Sequence, residues 1–290
     1  MEVVIESDSD ESVVFVDMAI GNKHAIDNKL TDTDTKLASA SDSEEDIVMV
    51  DPTSAPLWPS TISIPRYLDG TQPVDVLEVF GRTVSAYAQR RGLISCPFDL
   101  KVGKDLSQFE TRHEVFRAIE HRRPKLVVTS PPCTMYSRLQ RLWNIKKMPL
   151  EEYNSRKAIA DEYLEFAHTC NKIQHSAGRS FAFEHPASAS SWGQNSTQAV
   201  VTLQGMYNAL FDQCQFGLKS PRGTPLKKRT RILCNNERLF HALNGRNCCR
   251  GLHKHKPIMG TEDGHRLSTW SENYPQALCN TLLDACCNNS

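Results

Sequence analysis

The sequence predicts an α/β fold, a doubly wound and mostly parallel sheet preceded by an acidic, disordered tail. Two observations predict the sheet. From residue 74 onward, short apolar runs rich in β-branched residues alternate with stretches of helical length and periodicity. Gly and Pro stand between them as punctuation. A third observation sets the tail apart: residues 1–55 hold 14 Asp and Glu against 3 Lys and are poor in aromatics, so they cannot build a core.

The charge is divided as sharply as the hydropathy. The whole chain of 290 residues is formally neutral, but the tail carries −11 and the remaining 235 residues, with 31 basic and 20 acidic side chains, carry +11. A basic body behind an acidic tail fits a polyanionic partner, against the plainer reading of a scattered basic surface. Ten cysteines occur with an acidic N-terminus that has no long apolar segment, so no secretory signal is expected and the thiols should be reduced. No window approaches the ~20 apolar residues of a membrane helix, and no membrane association is expected.

Residues 56–73, with Pro56, Pro59, Pro65 and Pro73, read as a linker, and 74–290 as the folded domain. Val74–Phe80 reads as a strand. Residues 82–91 read as a helix ended by Gly92, and Ile94–Leu100 as a second strand. Residues 110–122 read as a helix stopped by Pro124, followed by strand 125–129. Residues 150–177 carry Ala, Leu, Phe and Ile at helical spacing, and Phe181–Phe183 is the next strand. Residues 197–212 read as a helix, Arg231–Cys234 as a strand and 276–287 as a closing helix. Residues 235–273 remain as a small substrate or recognition region.

The chemistry concentrates at strand ends. After Lys125–Thr129, Pro131 and Pro132 stop the ladder, because neither donates a hydrogen bond, and present Cys133 on a rigid loop. The carboxyl edge of an α/β sheet is where ligands bind. Cys133 is therefore a candidate nucleophile, against the alternative of a buried structural thiol. Glu184 ends another strand, and Arg229 and Arg231 begin one within Lys227–Arg231. A thiol, a carboxylic acid and guanidiniums suit attack on an electron-poor heterocycle: the thiolate adds to a ring carbon, the acid meets a ring nitrogen, and Arg binds a ring carbonyl.

The order of these motifs resembles the cytosine-5 DNA methyltransferase family, in a divergent form of the retroelement and phage type. Ser130-Pro131-Pro132-Cys133 resembles its Pro-Pro-Cys motif, Phe183-Glu184-His185-Pro186 its Glu-Asn-Val motif, and Lys227-Lys228-Arg229-Thr230-Arg231 its Gln-x-Arg-x-Arg motif. Leu77-Glu78-Val79-Phe80-Gly81 resembles the start of its cofactor motif. The resemblance implies a Rossmann-like fold of the S-adenosylmethionine (SAM) type. It also implies catalytic roles for Cys133, Glu184, Arg229 and Arg231, with DNA as the polymer and RNA left open. Cofactor contacts are implied at Glu78, Phe80, Gly81 and Pro131, with Asp99 on the ribose and Asp105 on the adenine. His185 stands where the family has Asn, and a single glycine, Gly81, follows Phe80. A fold retained without catalysis, serving as a nucleic-acid-binding regulatory module, is the alternative.

Two further groups stand out. Cys248, Cys249, His253 and His255 bring thiols and imidazoles together at a density that suits zinc, although the spacing matches no standard finger; a basic loop is the alternative. Nearby Trp270 and Tyr274 can stack on a base or simply pack in the core. In the tail, Val3-Val4-Ile5, Val13-Val14-Phe15-Val16 and Ile47-Val48-Met49-Val50 each lie beside acidic residues or serines. Such segments add as a strand to a partner's sheet edge, with the acids facing a basic rim. They resemble SUMO-interacting motifs, which implies recruitment by SUMO or SUMOylated proteins and a nuclear location.

Overall fold

The computed structural model describes residues 72–138, 140, 144–248 and 253–288. The tail, with its three aliphatic clusters, and residue Cys249 lie outside the described residues.

The first half of the domain follows the predicted alternation. Strand β1 (Val76–Val79) is followed by helix α1 (Thr83–Arg90), β2 (Ser95–Phe98), α2 (Phe109–His121), β3 (Leu126–Thr129), α3 (Leu150–Ser176) and β4 (Ser180–Pro186). Gly92, at φ +74°, turns the chain out of α1, a backbone state that suits a residue without a Cβ.

The second half departs from expectation. The predicted helix over 197–212 is two elements, α4 (Asn195–Val201) and β5 (Tyr207–Asp212). Gly205, at φ +76°, separates them. Beyond it Ala209 and Phe211 are buried with exposed Leu210 between them, a period of two rather than 3.6. Then come β6 (Arg229–Cys234), α5 (Glu237–Leu243), a small hairpin of β7 (Thr261–Glu262) and β8 (His265–Arg266), α6 (Leu267–Trp270) and α7 (Gln276–Cys286). Helix α5 begins where Asn236 accepts a hydrogen bond from Leu239 N–H, a short helix that apolar periodicity alone did not single out.

The six-stranded sheet has the order β2-β1-β3-β4-β6-β5. Neighbours from β2 to β4 are parallel, whereas β6 is antiparallel to both β4 and β5. Five strands therefore run one way and β6 runs against them. Alternate side chains supply two cores. Leu77, Val79, Val127, Phe181 and Phe183 pack with Val115, Ile119, Leu164 and Val200, from α2, α3 and α4. Val76, Leu126, Val128, Ala182 and Ile232 pack with Val84, Leu239, Leu243 and Leu282, from α1, α5 and α7. The sheet is thus covered by helices on both faces, which explains why its central strands are apolar throughout. Among the described residues no helix is long and apolar enough to cross a membrane.

Candidate active site

The chain leaves β1 toward β2 on one side and returns to β3 on the other, so the strand order reverses at β1. Open α/β sheets bind ligands outside the carboxyl ends of strands at such a point. A cleft of about 420 Å³ lies there, lined by residues that follow β1, β2, β3 and β4 and by Lys228 and Tyr274. That volume is within the usual range for small-molecule sites.

One half of the cleft is built on β1 and β2. Helix α1 has no capping side chain of its own at Arg82. Glu78 fills that role from the strand below, its carboxylate accepting from Val84 N–H at 3.2 Å and Ser85 N–H at 2.7 Å. Burial outweighs these bonds and raises the Glu78 pKa to about 7. Gly81 is required by close approach: a Cβ there would lie 2.7 Å from Glu78 Oε1. Phe80 takes φ +63°, a costly state for a bulky residue, and its ring packs on Tyr163 and Phe166 at 5.2 and 6.0 Å. Asp99 and Asp105 line the same wall, with Leu100 and Leu106. Each carboxylate accepts one local backbone N–H, from Lys101 and Ser107 respectively, and the latter holds the Asp105 pKa below its ordinary value.

The other half follows β3 and β4. Ser130 N–H donates to Val79 O, and its hydroxyl meets Tyr274 OH at 2.7 Å. His185 fixes the next residue. Its Nε2 lies 3.0 Å from Pro131 O, and its Nδ1 lies 2.6 Å from Ser191 Oγ. A carbonyl can only accept, so Nε2 donates and Nδ1 accepts from the serine. Burial lowers the His185 pKa to about 4, so the ring is neutral at pH 7. The Pro-Pro-Cys loop is therefore latched to β4 by His185.

Cys133 is half-buried at the end of this loop and lines the cleft. Burial raises its pKa above the ordinary thiol value; Lys228 opposes that shift and Glu184 adds to it. Glu184 is buried, and its Oε1 has no hydrogen-bond donor among the described residues. Lys228 Nζ lies 3.6 Å from that oxygen and donates to Ser271 O at 3.2 Å. This buried oxygen lines the cleft with hydrogen-bonding capacity left open.

Of the residues singled out in the sequence, the fold gathers Glu78, Phe80, Gly81, Asp99, Asp105, Pro131, Cys133 and Glu184 around one cleft. It does not bring Arg229 or Arg231 there. Arg229 lies 3.7 Å from buried Asp212; Arg231 donates to Asn208 at 2.9 Å and stacks over Trp192 at 4.3 Å. The reason is the two-residue period of a strand. Glu184 faces the side packed by Ala182 and Ile232, while Arg229 and Arg231 share the opposite side with His185. Lys228 falls on the Glu184 side. Sequence reading missed Lys228 for want of the strand's phase. Tyr274 lines the cleft, whereas Trp270 donates its indole N–H to Lys219 O and packs in a separate small cluster.

Outside the cleft, Cys248, His253 and His255 come together as expected, joined by Cys214; all four ligand atoms lie within 4.8 Å of one another. Cys214 sits in the short helical turn Gln213–Phe216 after β5. No sequence spacing pointed to it, because only the return of the chain after α5 brings residue 248 beside residue 214.

No protein-family model and no curated protein matches this chain.

Proposed function

We propose that the protein is a SAM-dependent methyltransferase acting on cytosine C5 in DNA, its domain being the methyltransferase form of the α/β fold. The observation that carries this reading is the meeting of Cys133 with a buried, under-bonded Glu184 and Lys228 at the reversal point of the sheet.

A cytosine flipped from the duplex enters beside Cys133. The Cys133 thiol gives up its proton to Glu184 as its sulfur bonds to C6. Glu184, carrying that proton, donates to N3 and draws off the charge that this attack pushes into the ring. Lys228 binds O2, the role first expected of Arg229 and Arg231. SAM, when bound, would supply an electrophilic methyl group for C5 and leave as the demethylated thioether. Loss of the C5 proton to water then expels Cys133 and restores the ring. The residues suited to hold SAM are Asp99 toward the ribose hydroxyls and Phe80, Leu100 and Leu106 as an apolar bed for the adenine, with Asp105 beside it. The positive charge of the body steers it to the polyanion. The three tail clusters recruit the enzyme to SUMO in the nucleus.

One observation favours a second reading, a non-catalytic nucleic-acid-binding module: Glu78 spends both carboxylate oxygens on α1. Trapping separates the two. The full chain is incubated with SAM and separate DNA and RNA pools containing 5-fluorocytosine, whose fluorine blocks the final elimination. A covalent adduct that requires SAM and Cys133 is the expected result, in the DNA pool. Absence of both an adduct and calorimetric SAM binding would move the assignment to the non-catalytic module. Removal of residues 1–55 is expected to abolish SUMO binding and leave adduct formation unchanged.

A further inference from the structure

The geometry points to a structural zinc site formed by Cys214, Cys248, His253 and His255, independent of the methyl-transfer reading.

Two thiols and two imidazoles are a complete ligand set for tetrahedral Zn²⁺, with no position left for water, which marks a structural rather than a catalytic site. Zn–S bonds of about 2.3 Å and Zn–N bonds of about 2.0 Å imply tetrahedral edges of about 3.5 Å between S and N. Cys214 Sγ lies 3.3 Å from His255 Nε2, and Cys248 Sγ lies 3.4 Å from His253 Nε2. The two imidazoles meet at 4.4 Å between centroids and 62° between planes, so they converge without stacking flat. None of the four lines the cleft.

The surroundings provide outer support of the kind that orients metal ligands. Asp212, fully buried two residues before Cys214, accepts Cys248 N–H at 2.9 Å through Oδ2. The ligands also bracket the segment that delivers Lys228. Gln213 N–H, adjacent to Cys214, donates to Lys228 O at 3.0 Å, and Lys256 N–H, adjacent to His255, donates to Pro225 O at 2.9 Å. A metal that joins Cys214 to His255 therefore clamps residues 225–228 from both sides. The fourth ligand is Cys214, 34 residues before Cys248.

The test is metal content of the full chain expressed with zinc in the medium. One zinc per chain is expected after dialysis, and replacement by Co²⁺ should give the intense visible absorption of a tetrahedral thiolate site. Removal of zinc with a chelator should lower Tm by roughly 10 °C, restored by Zn²⁺ and not by Mg²⁺. Cys214→Ser and His255→Ala should lose the metal, and Cys249→Ser should keep it. Folded wild-type protein with neither zinc nor a cobalt spectrum would overturn the site, with no variant needed. Retention of zinc by Cys214→Ser together with its loss in Cys249→Ser would overturn the assignment of Cys214.

Discussion

The two halves of the cleft differ in how their polar groups are employed. On the β1–β2 side every candidate carboxylate already has a local partner. Glu78 caps α1, Asp99 takes Lys101 N–H, and Asp105 takes Ser107 N–H. On the β3–β4 side Glu184 Oε1 is buried with no hydrogen-bond donor among the described residues, beside Cys133 and Lys228. Hydrogen-bond capacity left open in a buried site costs stability, and under the proposed function the second half carries the chemistry. In the proposed function the first half would hold the cofactor and the second would act on the base.

That contrast can be broken most forcefully at Cys133. Cys133→Ala should abolish the fluorocytosine adduct and lower methyl transfer by at least about 10³-fold, with Tm little changed. An adduct formed by this variant would transfer the reaction to another residue.

Glu184→Gln should reduce turnover by about 10²–10⁴-fold, since the amide cannot pass a proton to the ring. Thermal unfolding of the same variant sharpens the point: it should be less stable than wild type, because Lys228, itself largely buried, loses its ion-pair partner. Asp99→Asn, on the other half, should weaken SAM binding measured by calorimetry without impairing turnover at saturating SAM.

The phase of β6 yields a paired comparison. Lys228→Met should lower turnover by about 10²-fold, and it should slow alkylation of Cys133 at a fixed pH, because the lysine opposes the rise of the thiol pKa. Arg231→Met should leave turnover within about threefold and cost roughly 1 kcal/mol through the lost stacking on Trp192. Reversed results would show that the strand turns its other face to the substrate.

The smallest effect expected is on the pH dependence of stability. Burial lowers the pKa of His185 to about 4, below its unfolded value of about 6.5. Its contribution is present in full above pH 6.5 and is lost as the pH falls toward 4. Buried His168, packed on Phe183, is lowered in the same direction. Glu78 works in the opposite sense. Its pKa is raised to about 7, so its contribution is present below about 4.5 and is lost as the pH rises through 7. Glu78→Gln should therefore gain Tm relative to wild type at pH 8 and not at pH 5. A difference independent of pH would mean that Glu78 titrates normally.

From residue 74 to 186 the sequence by itself determined the order and type of nearly every strand and helix, because each has a clear period and a Pro or Gly stop. It also determined that Cys133 follows a buried strand, since Pro131 and Pro132 cannot extend one. After residue 195 local pattern was weaker: the stretch across Gly205 kept an apolar content that suits a helix or a strand, and only pairing with β6 made Tyr207–Asp212 a strand. Tertiary structure alone decided the direction of β6. Running against its neighbours, it starts at the edge where β3 and β4 end, and so brings Lys228 to Glu184; a parallel β6 would have left that lysine at the far side of the sheet. The same reversal, followed by the return of the chain after α5, placed Cys214 beside Cys248, His253 and His255. Sequence separation carries no information about such meetings, because they depend on how strands pair across the sheet and not on what stands next along the chain.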